Sequence, residues 1–532
     1  MVSPLLFLAL ACSGGDEPAP AAQDDTIAQM GAARLLNRVS LDLRGTRPTL
    51  DELDRVESDP DAIGDVIDEI IRDDRFGARV RSLYSEIYLT EADYFMVSAN
   101  QFGIDDGAAF LRAVGQEPLR LIEHIASTDQ PWTDLVTADY TVANEVVAEM
   151  FPTDYPDGGT GWQVARYTDG RPAAGVLSTT GMWLRYTSTD SNANRKRANT
   201  VSRVMLCNDY LTRPLEFDRE VDLLDTDAVN EALTTNPACV NCHVSLDPMA
   251  AYFFGFWSYQ INSWLEVSTY HPEREHLYTS YLGVEPSYYG EPGDSLADLG
   301  VQIASDPRFA ECAVEQVYGQ LLQRDVTLAD MDALTGHREA FLAGGLTMRA
   351  LVRSVLDDPR YQAALSSEAV GVKPTKMLSP DQLASAVEDL TGFRWTYANY
   401  DMMRSDTIGV RTLAGGADGY TVTRNTSSPN TTLVLVNERL AEAAASYVVA
   451  EEPQRLFSVD FTETPDSDRD AVVGQIQQLH RRILGRSVAA DSEEVAANLE
   501  LWETLHAIEG EPRAAWAGLT AALLRDPDFL LY

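Results

Sequence analysis

Apolar positions recur at i, i+3, i+4, i+7 and i+8 in three places along the chain, a spacing that predicts three amphipathic helices. They are Ile63, Val66, Ile67, Ile70 and Ile71; Met348, Leu351, Val352, Val355 and Leu356; and Trp516, Leu519, Thr520, Leu523 and Leu524. Each stripe lies on one helix face and must be covered by another element. Thirteen residues after the first stripe position the chain reaches Phe76, Tyr361 and Phe529, each behind an acidic stop: Asp73-Asp74-Arg75, Asp358-Pro359-Arg360 and Asp526-Pro527-Asp528. Upstream, an N-cap residue is answered three positions on by an acidic one, Thr49 with Glu52, Thr327 with Asp330 and Asp491 with Glu494. That reciprocal pairing satisfies two amides at a helix start. The preceding helix ends near an arginine in each copy, at Gly45-Thr46-Arg47, Gln323-Arg324 and Gly485-Arg486. These regularities predict three related helical hairpins. A repeated hairpin is scaffold, so Met348 is expected in the core.

A further helix is signalled at Ser379-Pro380-Asp381-Gln382, with Leu383, Ala386, Val387 and Leu390 on one face. Glu117 to Asn144 reads as helical and then extended, and the residues beyond it add little strand. Gly409 to Pro429 has the composition of a long surface loop.

At 532 residues the chain exceeds what one hydrophobic core usually supports. The balance of 41 Lys and Arg against 82 Asp and Glu gives a net charge of −41, a field that repels phosphate backbones and excludes nucleic acid as a natural partner. The N-terminus runs Leu5-Leu6-Phe7-Leu8-Ala9-Leu10-Ala11-Cys12-Ser13-Gly14-Gly15, an apolar stretch too short to span a bilayer, ending in small residues and a cysteine. It reads as a lipoprotein-type signal with Cys12 as the lipidation site, followed by a Pro/Ala/Asp-rich tether. The expected location is the bacterial cell envelope, with the membrane reached only through the lipid anchor.

The chemistry concentrates at Cys239-Val240-Asn241-Cys242-His243. Two thiols at this spacing reach the two vinyl-derived carbons on one edge of a haem, and the adjacent imidazole meets the iron. The motif therefore predicts one covalent haem c, with His243 as proximal ligand. Attachment of haem c occurs outside the cytoplasm, in agreement with the export signal. Other readings are a Cys239–Cys242 disulfide, a structural metal site and a chance match. A thioredoxin-like disulfide requires a βαβ setting that the flanking sequence lacks, and zinc requires a second ligand pair.

After the motif comes the aromatic run Tyr252-Phe253-Phe254-Gly255-Phe256-Trp257-Ser258-Tyr259, suited either to walling a porphyrin or to an ordinary core. Met249 follows His243 by six residues, too near to reach the opposite haem face. His271 and His276 remain as candidate distal ligands, and a five-coordinate iron is the alternative. Six-coordination suits a carrier, whereas an open position suits an enzyme. Arg195-Lys196-Arg197 reads either as a solvated surface or as a partner for haem propionates. Once lipid and haem are assigned, Cys207 and Cys312 remain, as a disulfide or as two buried thiols.

With these residues in view, the chain resembles the planctomycete-type cytochrome c-like exported surface proteins, a group also found in myxobacteria and other bacteria, whose domains are mostly of unknown function. Leu35 to Thr49 is similar to the family's N-terminal helical signature, and Thr137 to Asn144 and Gly175-Val176-Leu177-Ser178 to the stretch before its haem motif. Cys239 to Pro248, in which Cys-His leads to Asp-Pro, resembles the haem-site signature most specifically. Met249-Ala250 and the aromatic run depart from it. Cys207 and Cys312 fall where related sequences often have cysteines, and the end of the chain at Asp526 to Tyr532 looks like the family's C-terminus.

The expected fold is mainly α: a multi-domain helical protein with a cytochrome c-like CxxCH segment and repeated helical hairpins. Its expected divisions are a signal and tether at 1–25, an N-terminal helical domain at 26–150, a haem-motif domain at 151–295, a hairpin repeat at 296–366 and a C-terminal helical domain at 367–532. The expected function is electron transfer with an exported redox partner or surface protein. The alternatives are a haem-dependent oxidoreductase acting on an extracellular substrate and a haem-free surface binding or scaffold protein. No Ser/His/Asp, paired-carboxylate or phosphate-loop motif stands out.

Overall fold

In the computed structural model the three apolar stripes lie on helices, Ile63–Ile71, Met348–Leu356 and Pro512–Leu524. The described residues are 27–92, 94–213, 221–222, 224–261, 264–265, 269–365 and 375–532, so Cys12 and its tether lie outside them. The fold is mainly helical, with 60% helix and 4% strand. Among the described residues the strands form only two-stranded antiparallel pairs, such as Thr141–Ala143 with Gln163–Ala165.

Val66, Ile67, Ile70 and Ile71 are buried, as are their counterparts on the other two helices. Burial of such a side chain stabilises by about 1.5–3 kcal/mol, so these stripes rather than local propensity hold the hairpins. Phe76, Tyr361 and Phe529, each behind its acidic stop, are buried too. The capping boxes form at Thr49 with Glu52, Thr327 with Asp330 and Ser379 with Gln382. In the third hairpin the expected Asp491 cap is displaced by one residue: Ser492 caps Glu493–Glu509 and accepts from the Val495 amide. Either residue is a competent cap, and the helix that follows buries Val495, Leu499 and Trp502.

One hydrophobic core draws on side chains from Met30 to Tyr361, so the segments 26–150, 151–295 and 296–366 share an interior. The segment 367–532 builds a second core, from Met377 to Tyr532, to which Leu41 also belongs. The helix Ala32–Arg44 thus stands between the two, with Leu36, Val39 and Leu43 in the first and Leu41 in the second.

Asp42 on that helix is the meeting point of distant segments. Its carboxylate accepts from Tyr361 Oη at 2.7 Å, Tyr532 Oη at 2.7 Å and Lys376 Nζ at 2.5 Å. Arg38, one turn back, donates to the Tyr361 carbonyl at 2.7 Å. Asp42 and Lys376 are only 4% and 3% exposed, and burial pulls the ammonium of Lys376 down to about 8 against the attraction of Asp42.

Candidate functional site

The motif helix spans Pro237–Ala251. Asn236 caps it by accepting from the Ala238 amide at 3.0 Å, and Pro237 occupies the first turn, where its missing N–H costs nothing. This start places Cys239, Cys242 and His243 at i, i+3 and i+4, on one face of the helix. Cys242, Leu246, Met249 and Ala250 fasten the helix to the first core. Cys239 is half-buried, and neither motif cysteine is in a disulfide.

His243 is oriented from behind. Its Nδ1 lies 2.8 Å from Asp247 Oδ1, one helical turn on. The guanidinium of Arg195 grips the same carboxylate as a fork, Nε to Oδ1 at 2.7 Å and Nη2 to Oδ2 at 2.9 Å. Burial pushes the Asp247 carboxyl up, but the hydrogen bonds from Arg195 and His243 outweigh it and hold it below its ordinary range. A carboxylate gripped on both oxygens by a guanidinium acts as an acceptor, so His243 Nδ1–H is the donor between the two residues. Among the described residues nothing hydrogen-bonds His243 Nε2. The motif therefore places two unbridged thiols, that of Cys242 buried, and one imidazole nitrogen without a hydrogen bond on a single helical face, the residue set that covalent haem attachment uses.

The Arg195-Lys196-Arg197 tract is solvated only in part: Arg197 is buried, Arg195 half-buried and Lys196 exposed. Arg197 is 1% exposed and donates to the carbonyls of Tyr186 at 3.0 Å and Phe256 at 2.9 Å. Arg195 is engaged with Asp247, and Lys196 lies over the Tyr186 ring. All three sit in the first turn of the helix Arg195–Leu206. At the other end of that helix Cys207 forms a disulfide with Cys312, Cα to Cα 5.2 Å, on the helix Pro307–Leu322. The carrier of Arg195 is fixed at both ends.

From Tyr252 to Trp257 the aromatic run packs as core, while Tyr259 is exposed. Phe253 lies 4.9 Å from the Trp183 ring, Phe256 sits edge-on to Tyr270 at 5.2 Å, and Phe254 stacks on Trp257 at 5.0 Å. Met249 and Met348 are both buried. His271 spends both ring nitrogens, Nδ1 on Glu273 at 3.0 Å and Nε2 on Thr269 at 3.1 Å, so ligation would cost it a partner. His276 is exposed in the helical turn Pro272–Leu277.

The tertiary structure also assembles a Ser/His/Asp contact invisible in the sequence. His337 Nδ1 lies 2.8 Å from Ser354 Oγ and Nε2 lies 3.1 Å from Asp358. His337 is 6% exposed and packs on Tyr318. A surface cleft of about 540 Å³ nearby is lined by Asp68, Ile71, Arg72, Asp129, Thr347, Arg349 and Arg353, not by Ser354 or His337. The contact ties two helices of the second hairpin together.

Among the described residues no three His, Cys, Asp or Glu side chains gather as a metal cage. No described helix is long and apolar enough to cross a membrane. No family model, curated protein or solved structure matches this chain.

Proposed function

We propose that this chain carries one covalent haem c on Cys239 and Cys242, with His243 Nε2 as the proximal ligand, and passes electrons to or from another exported protein. One observation carries the reading: two unbridged thiols and an imidazole share a helical face, the imidazole held by its other nitrogen. Haem bound there supplies a one-electron iron couple. The lipoprotein-type sequence at Cys12 supports anchorage in the cell envelope, and the resemblance to planctomycete-type cytochrome c-like surface proteins points the same way.

A second reading, a haem-dependent oxidoreductase acting on an extracellular substrate, is favoured by the two occupied ring nitrogens of His271, which count against one of the two candidate distal ligands. The test is an in-gel haem stain and absorption spectrum of the chain produced with a c-type haem maturation system. Covalent haem is expected in the native chain and absent from a Cys239→Ala/Cys242→Ala variant. No haem in the native chain, or haem retained by the variant, overturns the proposal. A low-spin spectrum indicates a carrier, and a high-spin spectrum with ready carbon monoxide binding indicates the enzyme.

A further inference from the structure

We infer that Arg195 and Asp247 form a clamp that fixes His243 with its proton on Nδ1 and its Nε2 bare, and that the clamped carboxylate makes this imidazole a strong donor to iron. The tuning half of this inference rests on the haem reading; the positioning half does not.

The clamp has three parts. The first is local: Asp247 stands four residues after His243, so helix geometry alone sets carboxylate against imidazole. The second is tertiary. Asp247 is 8% exposed, and its second oxygen accepts from Arg195 on another helix, so both oxygens are engaged and the carboxylate cannot rotate away. The third is the anchoring of the helix that Arg195 begins, pinned in its first turn by the buried Arg197 and at its far end by the Cys207–Cys312 disulfide. The neighbouring Pro248 also interrupts the helical hydrogen-bond ladder, since it has no N–H for the Val244 carbonyl.

The consequences are chemical. A free imidazole exchanges between two tautomers, only one of which presents Nε2 to a metal. A carboxylate on Nδ1–H selects that tautomer and raises the basicity of Nε2, and such partners of ligating histidines typically matter 10- to 100-fold. A stronger donor favours ferric over ferrous iron, which lowers the reduction potential. Arg195 moderates the effect, because it shares the charge of Asp247 and prevents full proton transfer from the ring. Neither residue touches the reacting iron; both act through His243.

Two measurements test this on the full chain. The first uses haem-free protein with ¹⁵N-labelled histidine, with the signals of His243 identified by their loss in His243→Gln. Long-range ¹⁵N spectra are expected to show an Nδ1-protonated His243 in the native chain and a return toward the Nε2-protonated form in Asp247→Ala. Arg195→Ala is expected to loosen the preference, and Arg195→Lys to restore it only in part, since an ammonium lacks the fork. A native His243 protonated on Nε2, or a tautomer unchanged in Asp247→Ala, overturns the clamp.

The second uses haem-loaded protein and the near-isosteric Asp247→Asn, checked by circular dichroism for a native fold. At equal haem content its ferrous-to-ferric ratio at fixed potential is expected to rise about tenfold, a 59 mV shift for one electron. An unchanged potential overturns the tuning role. A native chain without covalent haem refutes the haem reading and with it the tuning, while the tautomer measurement still decides the clamp.

Discussion

Replacing Asp42 by Asn should unsettle the joint between the two cores, and the cost follows from what surrounds it. The substitution keeps the shape and an acceptor for a tyrosine hydroxyl but removes the charge facing Lys376, whose ammonium is 3% exposed. Breaking one side of a buried ion pair costs about 3–5 kcal/mol, because the remaining charge stays desolvated. Here the cost should lie at the lower end, since Lys376, already pulled down to about 8, can escape part of it by losing its proton. Removing both charges is different: replacing a buried pair with groups of similar volume is often near neutral. Asp42→Asn/Lys376→Met should therefore recover most of the loss, with a coupling of about 2 kcal/mol or more between the sites. The assay is urea unfolding of the two single variants, the double variant and the native chain, followed by both fluorescence and circular dichroism. Because Asp42 joins Tyr361 of the first core to Lys376 and Tyr532 of the second segment, Asp42→Asn should also separate the two signals into distinct transitions. Additive single effects, or a loss below about 0.5 kcal/mol in Asp42→Asn, would refute the reasoning.

Two further outcomes follow. Asp330, 0% exposed, accepts from Arg324 through both oxygens at 2.7 Å and from the Thr327 amide at 2.9 Å. Burial pushes its carboxyl up, but those hydrogen bonds prevail and hold it well below 3.8, so the native state binds fewer protons than the unfolded chain in acid. Its stabilisation is present above about pH 4 and is lost as the pH falls through the lowered value. Asp330→Asn should cost about 3–5 kcal/mol at pH 7 and flatten the acid limb of a stability-versus-pH curve. An acid limb as steep as in the native chain would count against it. Separately, Cys207–Cys312 closes a separation of 105 residues, and Cys207→Ala/Cys312→Ala should lower stability by about 2–4 kcal/mol in thermal melts under oxidising conditions. A melting point indistinguishable from the native one would show that the bridge does not restrain the unfolded chain.

The local grammar of the chain was enough to find the hairpin helices, because an apolar stripe at helical spacing and a reciprocal cap are properties of neighbouring residues. Thr49 with Glu52 and Ser379 with Gln382 form the boxes their spacing requires. At Asp491-Ser492 the same grammar was ambiguous: two adjacent residues can both cap, and in the folded chain it is Ser492 that does. The CxxCH motif likewise specifies its own geometry once Asn236-Pro237 starts a helix ahead of it.

What lay beyond the sequence is the distant partner of a buried charge such as Asp42 or Asp247. Asp247 stands four residues from His243 and was legible as a neighbour, but Arg195 reaches it from 52 residues away. The basic tract read as surface or as a partner for propionates, whereas Arg197 is buried and donates to two carbonyls from separate segments. The aromatic run, equally fit for a porphyrin or a core, found Trp183 and Tyr270 as its partners. Helical spacing is dictated by covalent geometry and hydrophobic burial within a few turns, so sequence alone determined the three stripe-bearing helices and the face bearing the two cysteines and His243. Which cation meets which carboxylate depends on segments brought together only when the cores close, and so the tertiary structure alone decided what stands behind His243.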